Sequence, residues 1–164
     1  MTGSGKLLLV VCSGNICRSP MAEYMVREAL GEESCWEVRS AGTSAARGMP
    51  PSRSAVAVMK ERGIDISAHR SRPLDAESID ECSLIVVMTK SHLAYVRSVV
   101  PGALERTFLL KSFVTGEGGA VTDPMGSSPD MYRSVRDEIE EAIPGLIDFM
   151  KHLQQQSENR NGDT

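Results

Sequence analysis

A chain of 164 residues, 24% of them charged and with a formal net charge of −4, reads as one globular domain, and it has no basic cluster with which to hold nucleic acid or an anionic membrane surface. No apolar run approaches a membrane span, no signal-peptide core follows Met1, and four cysteines are too few for a disulfide scaffold. A cytoplasmic monomer is the expectation.

In chain order, Gly3-Ser4-Gly5-Lys6 mimics the end of a nucleotide-binding loop. It lacks the upstream glycine and a preceding strand, so residues 1–5 read as a flexible terminus. Leu7 to Val11 is a continuous apolar run of strand length, the pattern of a central parallel strand buried on both faces. A tight loop, Cys12 to Pro20, leads into a helix whose Ala22, Met25, Val26, Ala29 and Leu30 share one face. Ser19 suits the cap of that helix, Pro20 its first turn and Gly31 its stop. A short second strand covers Trp36 to Ser40, and Ala41 to Pro51 is a small-residue loop. Ser52 opens a helix carrying Ala55, Val58 and Met59 and ended by Gly63; Ile64 to Pro73 is irregular; Asp75 to Glu81 is a short polar helix. Leu84 to Met88 is a third strand, Ser91 to Val100 a helix, and Thr107 to Leu110 a fourth strand. Lys111 to Pro129 is a long glycine-rich loop, of a length that is often functional. Met131, Val135, Ile139, Ala142, Leu146, Met150 and Leu153 trace the last helix, which Pro144 should bend. Residues 154–164 are polar and expected to be disordered, which leaves 6–153 as the domain. Strands alternating with helices predict an α/β doubly wound domain, a four-stranded parallel sheet of order 2-1-3-4 flanked by helices, with the Cys12 loop at the topological switch point.

That loop carries the chemistry. Between a strand and a helix N-terminus, the backbone N–H groups of Ser13, Gly14, Asn15, Ile16, Cys17 and Arg18 converge on one spot, and the helix end adds partial positive charge. Such a nest binds phosphate or another oxyanion. Cys12, ringed by these dipoles and near a guanidinium, becomes a nucleophile. Arg18 can grip two phosphoryl oxygens. A cysteine six residues before an arginine is weak alone; the preceding strand, Gly14 and Asn15 inside, and Arg-Ser-Pro closing onto a helix make it specific. Asn15 tolerates the left-handed backbone such a loop can need. Asp123 precedes Pro124, which by itself is turn chemistry; a phosphoryl transfer at the nest would need some proton donor for its leaving group. Cys17 is either a small side chain packed under the loop or a resolving cysteine. Cys35 and Cys82 should pack as small apolar residues. His69, His92 and His152 show no ligand spacing, so no metal and no cofactor is expected.

Cys12 to Pro20 resembles the phosphate loop of the low-molecular-weight protein tyrosine phosphatases. Ser40-Ala41-Gly42-Thr43 resembles the wall loop of that family, His69-Arg70-Ser71-Arg72 its next inner loop, and Asp123-Pro124 its general-acid loop. The likeness spans roughly Lys6 to Leu153. Phe113-Val114-Thr115-Gly116, with Gly126 and Tyr132, leans towards the bacterial subgroup that includes protein arginine phosphatases.

The resemblance implies hydrolysis of a phosphorylated protein through a phosphocysteine on Cys12, with Arg18 as clamp, Asp123 as acid, and no metal or cofactor. It implies that Ser19 donates to the Cys12 thiolate, that Ser40 and His69 pin Asn15, and that Cys17 forms a reversible disulfide with Cys12. For phosphotyrosine the candidate slot walls are Ala45, Ala46 and Met125, with no aromatic among them and Tyr132 further off. Arginine phosphatases of this fold tend to have Thr where this chain has Ile16, and Ile cannot hydrogen-bond. Ile16 at the pocket floor therefore favours phosphotyrosine, with phosphoarginine the alternative that the acid-loop neighbourhood supports. Arsenate reductases share the loop and fold but need a distal redox cysteine pair, and no cysteine follows Cys82. A bare phosphate-binding module would need neither thiolate nor acid.

Overall fold

The computed structural model describes residues 5–115 and 118–162. The expected flexible terminus, Gly5 apart, falls outside those residues, as do positions 163 and 164. Strands β1 (Lys6–Cys12), β2 (Trp36–Gly42), β3 (Leu84–Val87) and β4 (Thr107–Leu109) form one sheet in the order β2-β1-β3-β4, all pairs parallel. Helices α1 (Arg18–Leu30), α2 (Arg53–Lys60) and α6 (Pro129–Gly162) share a core with one face; α3 (Ala76–Glu81) and α4 (Lys90–Val99) pack on the other.

The unbroken apolar run of β1 follows from its central position. Leu8, Val10 and Cys12 join the core beneath α1 and α6, while Leu7, Leu9 and Val11 join the opposite core with Ile79 and Val96. β2 continues two residues beyond Ser40, because Ala41 and Gly42 stay in register with Val11 and Cys12. Side chains cap α2, α3, α4 and α6: Ser52 accepts from Ala55 N, Asp75 from Ser78 N, Thr89 from His92 N and Ser128 from Met131 N.

Four expectations need correction. Ser19 does not cap α1; Cys17 stands at the cap position and makes no side-chain bond to the helix N–H groups, and Ser19 turns its hydroxyl into the site. The N–H groups that a cap would occupy are thus left for an anion. The long loop after β4 contains a short helix, α5 (Ser112–Thr115), because Phe113 stacks with Phe108 and Phe149 at centroid distances of 6.0 and 5.5 Å. α6 runs on through residues 154–162 instead of fraying. Leu153 packs on the core, and Gln154 to Glu158 and His152 to Gln156 bond at i,i+4 spacing. Cys35 is exposed, in a turn before β2, whereas Cys82 is buried and donates to Ile79 O. Pro144 lies inside α6, which continues on both sides of it. At the next residue, Gly145, a Cβ would collide with the Phe113 carbonyl, so glycine is what lets α5 dock on α6.

Candidate active site

Cys12 ends β1 at the carboxyl edge of the sheet, and the loop to Arg18 turns through Asn15, the one non-glycine residue with positive φ (57°) among those described. The wall segment is stitched along it: Thr43 N donates to Cys12 O at 2.9 Å and Ser44 N to Ser13 O at 3.0 Å. The two backbones approach so closely that a Cβ on Gly42 would strike the Ser13 carbonyl. On the other side Ser52 N holds Ile16 O at 2.9 Å.

Asn15 is fully buried, and its side-chain amide and its carbonyl are all engaged. Its amide donates to Ser19 Oγ (2.7 Å) and Ser40 Oγ (2.9 Å), its Oδ1 accepts from Arg72 N (3.0 Å), and its backbone carbonyl accepts from His69 Nε2 (2.8 Å). Proton counting then fixes directions. Ser40 accepts from Asn15 and donates its hydroxyl to buried Glu23, which also pairs with Arg27 at 2.6 Å. Ser19 accepts from Asn15 as well, so its own proton is free for Cys12 Sγ, 2.9 Å away. A sulfur that accepts such a bond is a better leaving group from a phosphoenzyme. His69 must carry its proton on Nε2; burial pushes its pKa down, which suits a neutral ring. Glu23, Arg27 and the Arg72 backbone extend the pinning network beyond the Ser40 and His69 foreseen. A carboxylate beside Ala22 in a helix with an apolar face was the sequence signal for Glu23.

Arg18 is 4% exposed. Its Nη1 donates to Val121 O at 3.0 Å, and Nη2 lies 3.4 Å from Ser13 Oγ and 3.7 Å from Asp123 Oδ2. A cavity of about 150 Å³ is lined by Cys12, Gly14, Ile16, Cys17, Arg18, Asp123 and Met125. The three predicted catalytic residues are therefore together. Asp123 is half-exposed, and its Oδ1 accepts from Met125 N at 3.1 Å, which closes a small turn. Of the predicted slot walls, Met125 lines the cavity, while Ala45 and Ala46 are not among its lining residues. Tyr132 is nearer than expected: α6 begins at Pro129 and brings its hydroxyl to 3.4 Å from Cys17 Sγ and 4.0 Å from Met125 Sδ. His92 is a site residue that spacing did not reveal; its Nε2 lies 2.8 Å from Ser13 Oγ.

Cys17 is buried against Ser52 and Tyr132, and that burial pushes its thiol pKa up. The resolving role expected of Cys17 is that a sulfenic acid on Cys12 condenses with its thiol to a disulfide, with loss of water. After identical peroxide exposure, Cys17→Ala is expected to recover far less activity with reductant than wild type; equal recovery would remove Cys17 from this role.

Among the described residues, no three His, Cys, Asp or Glu groups are placed to hold a metal ion, and no helix is long and apolar enough to cross a membrane.

A nucleophilic cysteine, an arginine clamp and a carboxylic acid around an anion nest at a parallel-sheet switch point define a cysteine-dependent phosphatase. The family model described as low molecular weight phosphotyrosine protein phosphatase matches residues 7–159. The chain belongs to that family. Among solved structures it is similar to the YwlE arginine phosphatase from Geobacillus stearothermophilus (TM-score 0.84, 39% identity, covering 92% of this chain and 96% of that one). It is also similar to the tyrosine phosphatase Wzb from Escherichia coli K30 in complex with sulphate (TM-score 0.81, 28% identity, 88% and 98% covered). A curated relative, a probable low molecular weight protein-tyrosine-phosphatase EpsP from Ralstonia nicotianae, is 38% identical over 148 residues, 90% of this chain and 98% of that protein. The enzyme is thus a protein phosphatase of the tyrosine-phosphatase class, acting on phosphorylated substrates.

Proposed function

We propose that this enzyme hydrolyses phosphotyrosine in proteins in two steps. Cys12 Sγ attacks phosphorus in line as the bond to the tyrosine oxygen breaks, and Asp123 gives that oxygen its proton. Arg18 and the loop N–H groups hold the three equatorial oxygens. Asp123, now a carboxylate, takes a proton from water as the water displaces Cys12, whose departing sulfur keeps the Ser19 bond. Inorganic phosphate leaves the nest. The observation that carries this reading is the meeting of Cys12, Arg18 and Asp123 on one phosphoryl-sized cavity. Every group used belongs to one chain, so a monomer suffices. The described cysteines are unpaired, consistent with work in the reducing cytoplasm.

Ile16 supports tyrosine as the leaving group. It lines the cavity and offers a flat ring apolar surface but gives the N–H groups of a guanidine nothing to bond. Each donor left unpaired there costs about 1–3 kcal/mol. Phosphoarginine is the second reading, favoured by the similarity to YwlE over nearly the whole chain. Ile16→Thr is expected to raise phosphoarginine turnover relative to phosphotyrosine by about tenfold to a hundredfold. The measurement is the ratio of kcat/KM on the two substrates for both variants. A wild type that already prefers phosphoarginine would transfer the assignment to the second reading.

A further inference from the structure

His92 lies in the first turn of α4, is 3% exposed, and has no part in the phosphoryl chemistry above. Its Nε2 is 2.8 Å from Ser13 Oγ and its Nδ1 3.1 Å from Thr89 Oγ1. Ser13 Oγ accepts from Arg18 Nη2 at 3.4 Å. A serine hydroxyl has a single proton, and with Arg18 donating to it that proton goes to Nε2. The ring then carries its own proton on Nδ1, where Thr89 Oγ1 accepts it and passes a hydrogen bond on to Ser91 Oγ at 2.8 Å. Burial first, and then the Arg18 cation, push the His92 pKa down to about 4, against a smaller opposing pull from Asp123. The neutral ring therefore persists at physiological pH.

The other hold on the guanidinium has the same origin. Arg18 Nη1 donates to Val121 O, and Val121 N is tied to Met88 O at 2.9 Å. Met88, Thr89 and His92 all belong to the junction between β3 and α4. One bracket reaches Arg18 through His92 and Ser13, the other through Met88 and Val121. With one N–H on each nitrogen arm engaged in this way, the rotation of the guanidinium is fixed and its remaining N–H groups are left for phosphoryl oxygens.

We propose that His92 is a positioning residue: acting through the Ser13 hydroxyl, it holds the Arg18 guanidinium in the wall of the phosphoryl cavity. The inference rests on Arg18 being the phosphoryl clamp. A clamp that must be reoriented on each encounter loses preorganisation, which weakens the hold on phosphate in the ground state and in the transition state alike.

The test compares wild type, His92→Ala, His92→Gln, Ser13→Ala, the Ser13→Ala/His92→Ala double variant and Arg18→Ala, well below the Tm of each. The readouts are kcat and KM on an aryl phosphate and the inhibition constant of inorganic phosphate. His92→Ala is expected to raise both KM and the phosphate inhibition constant about tenfold with little change in kcat. His92→Gln, whose carbonyl can accept from Ser13, should restore most of that loss. Ser13→Ala should match His92→Ala, and the double variant should be no worse than either. Imidazole nitrogen resonances should show His92 protonated on Nδ1. If His92→Ala does not fold, Ser13→Ala and the nitrogen resonances decide the matter by themselves. Unchanged phosphate inhibition in the folded variants, additive losses in the double variant, or a proton on Nε2 would each overturn the proposal. Wild-type turnover by Arg18→Ala would instead overturn the clamp itself. Loss in Arg18→Ala alone, with the His92 and Ser13 variants unaffected, would refute only the positioning role.

Discussion

Cys12→Ser is expected to lower turnover by at least about 10³-fold while leaving binding of phosphate or sulfate measurable. The two halves of that outcome come from different parts of the site. Oxyanion binding uses the backbone N–H groups of the loop and the Arg18 guanidinium, none of which the substitution touches. The loop shape is held by Asn15, pinned through Ser19, Ser40, Arg72 and His69, and by the wall bonds from Thr43 and Ser44. A serine hydroxyl at position 12 can still meet Ser19, whose proton now serves a neutral oxygen instead of a thiolate sulfur. What is lost is the nucleophile, because an alkoxide is far less accessible at neutral pH than a thiolate. Rates on an aryl phosphate and calorimetric titration with inorganic phosphate measure the two halves separately. Activity above about a hundredth of wild type would remove Cys12 from the nucleophile role; lost phosphate binding would mean that the loop itself had collapsed.

The parts of this molecule legible in the sequence are those set by local pattern. Leu7 to Val11 announced a strand buried on both faces because no polar residue interrupts it, and its central place in the sheet is the reason. Cys12, Arg18 and the glycine and asparagine between them announced an anion nest because strand, loop and helix are contiguous. Asp123 could be placed only by resemblance, since nothing local aims a carboxylate in a glycine-rich loop at a site made more than a hundred residues earlier. What stayed hidden depends on tertiary contact. α5 exists because Phe113 finds Phe108 and Phe149, partners from a strand and from the last helix. Tyr132 reaches Cys17 only because α6 starts where it does. His92 carries a polar residue's ordinary disguise, a helix-turn histidine beside a Thr cap, until α4 is packed against the loop. In residues 154–162 polarity outweighs helix propensity when the sequence is read alone, although i,i+4 pairs and the docked Leu153 are enough to keep them helical.

Asp123→Asn is expected to lower kcat by about 10²–10⁴-fold with little change in KM. The carboxyl stands on the cavity opposite the loop, half-exposed, with Oδ2 3.7 Å from Arg18 Nη2 and Oδ1 accepting from Met125 N. Asparagine keeps an oxygen for the Met125 N–H, so the turn that aims the side chain survives. It removes the proton that the leaving oxygen needs and the base that the attacking water needs. Phosphate binding should therefore persist, and the loss should depend on the leaving group. An activated nitrophenol departs readily as its anion, so its release suffers little from a missing acid. Tyrosine, a far weaker acid with a pKa near 10, needs the proton and should show the full loss. With nitrophenyl phosphate the second step then becomes the bottleneck, and a burst of nitrophenol equal to the enzyme concentration should precede slow turnover. Rapid mixing measures that burst, and steady-state rates on a phosphotyrosine peptide measure the full effect. An Asp123→Asn enzyme within tenfold of wild type on the peptide would mean that the proton comes from elsewhere in the cavity.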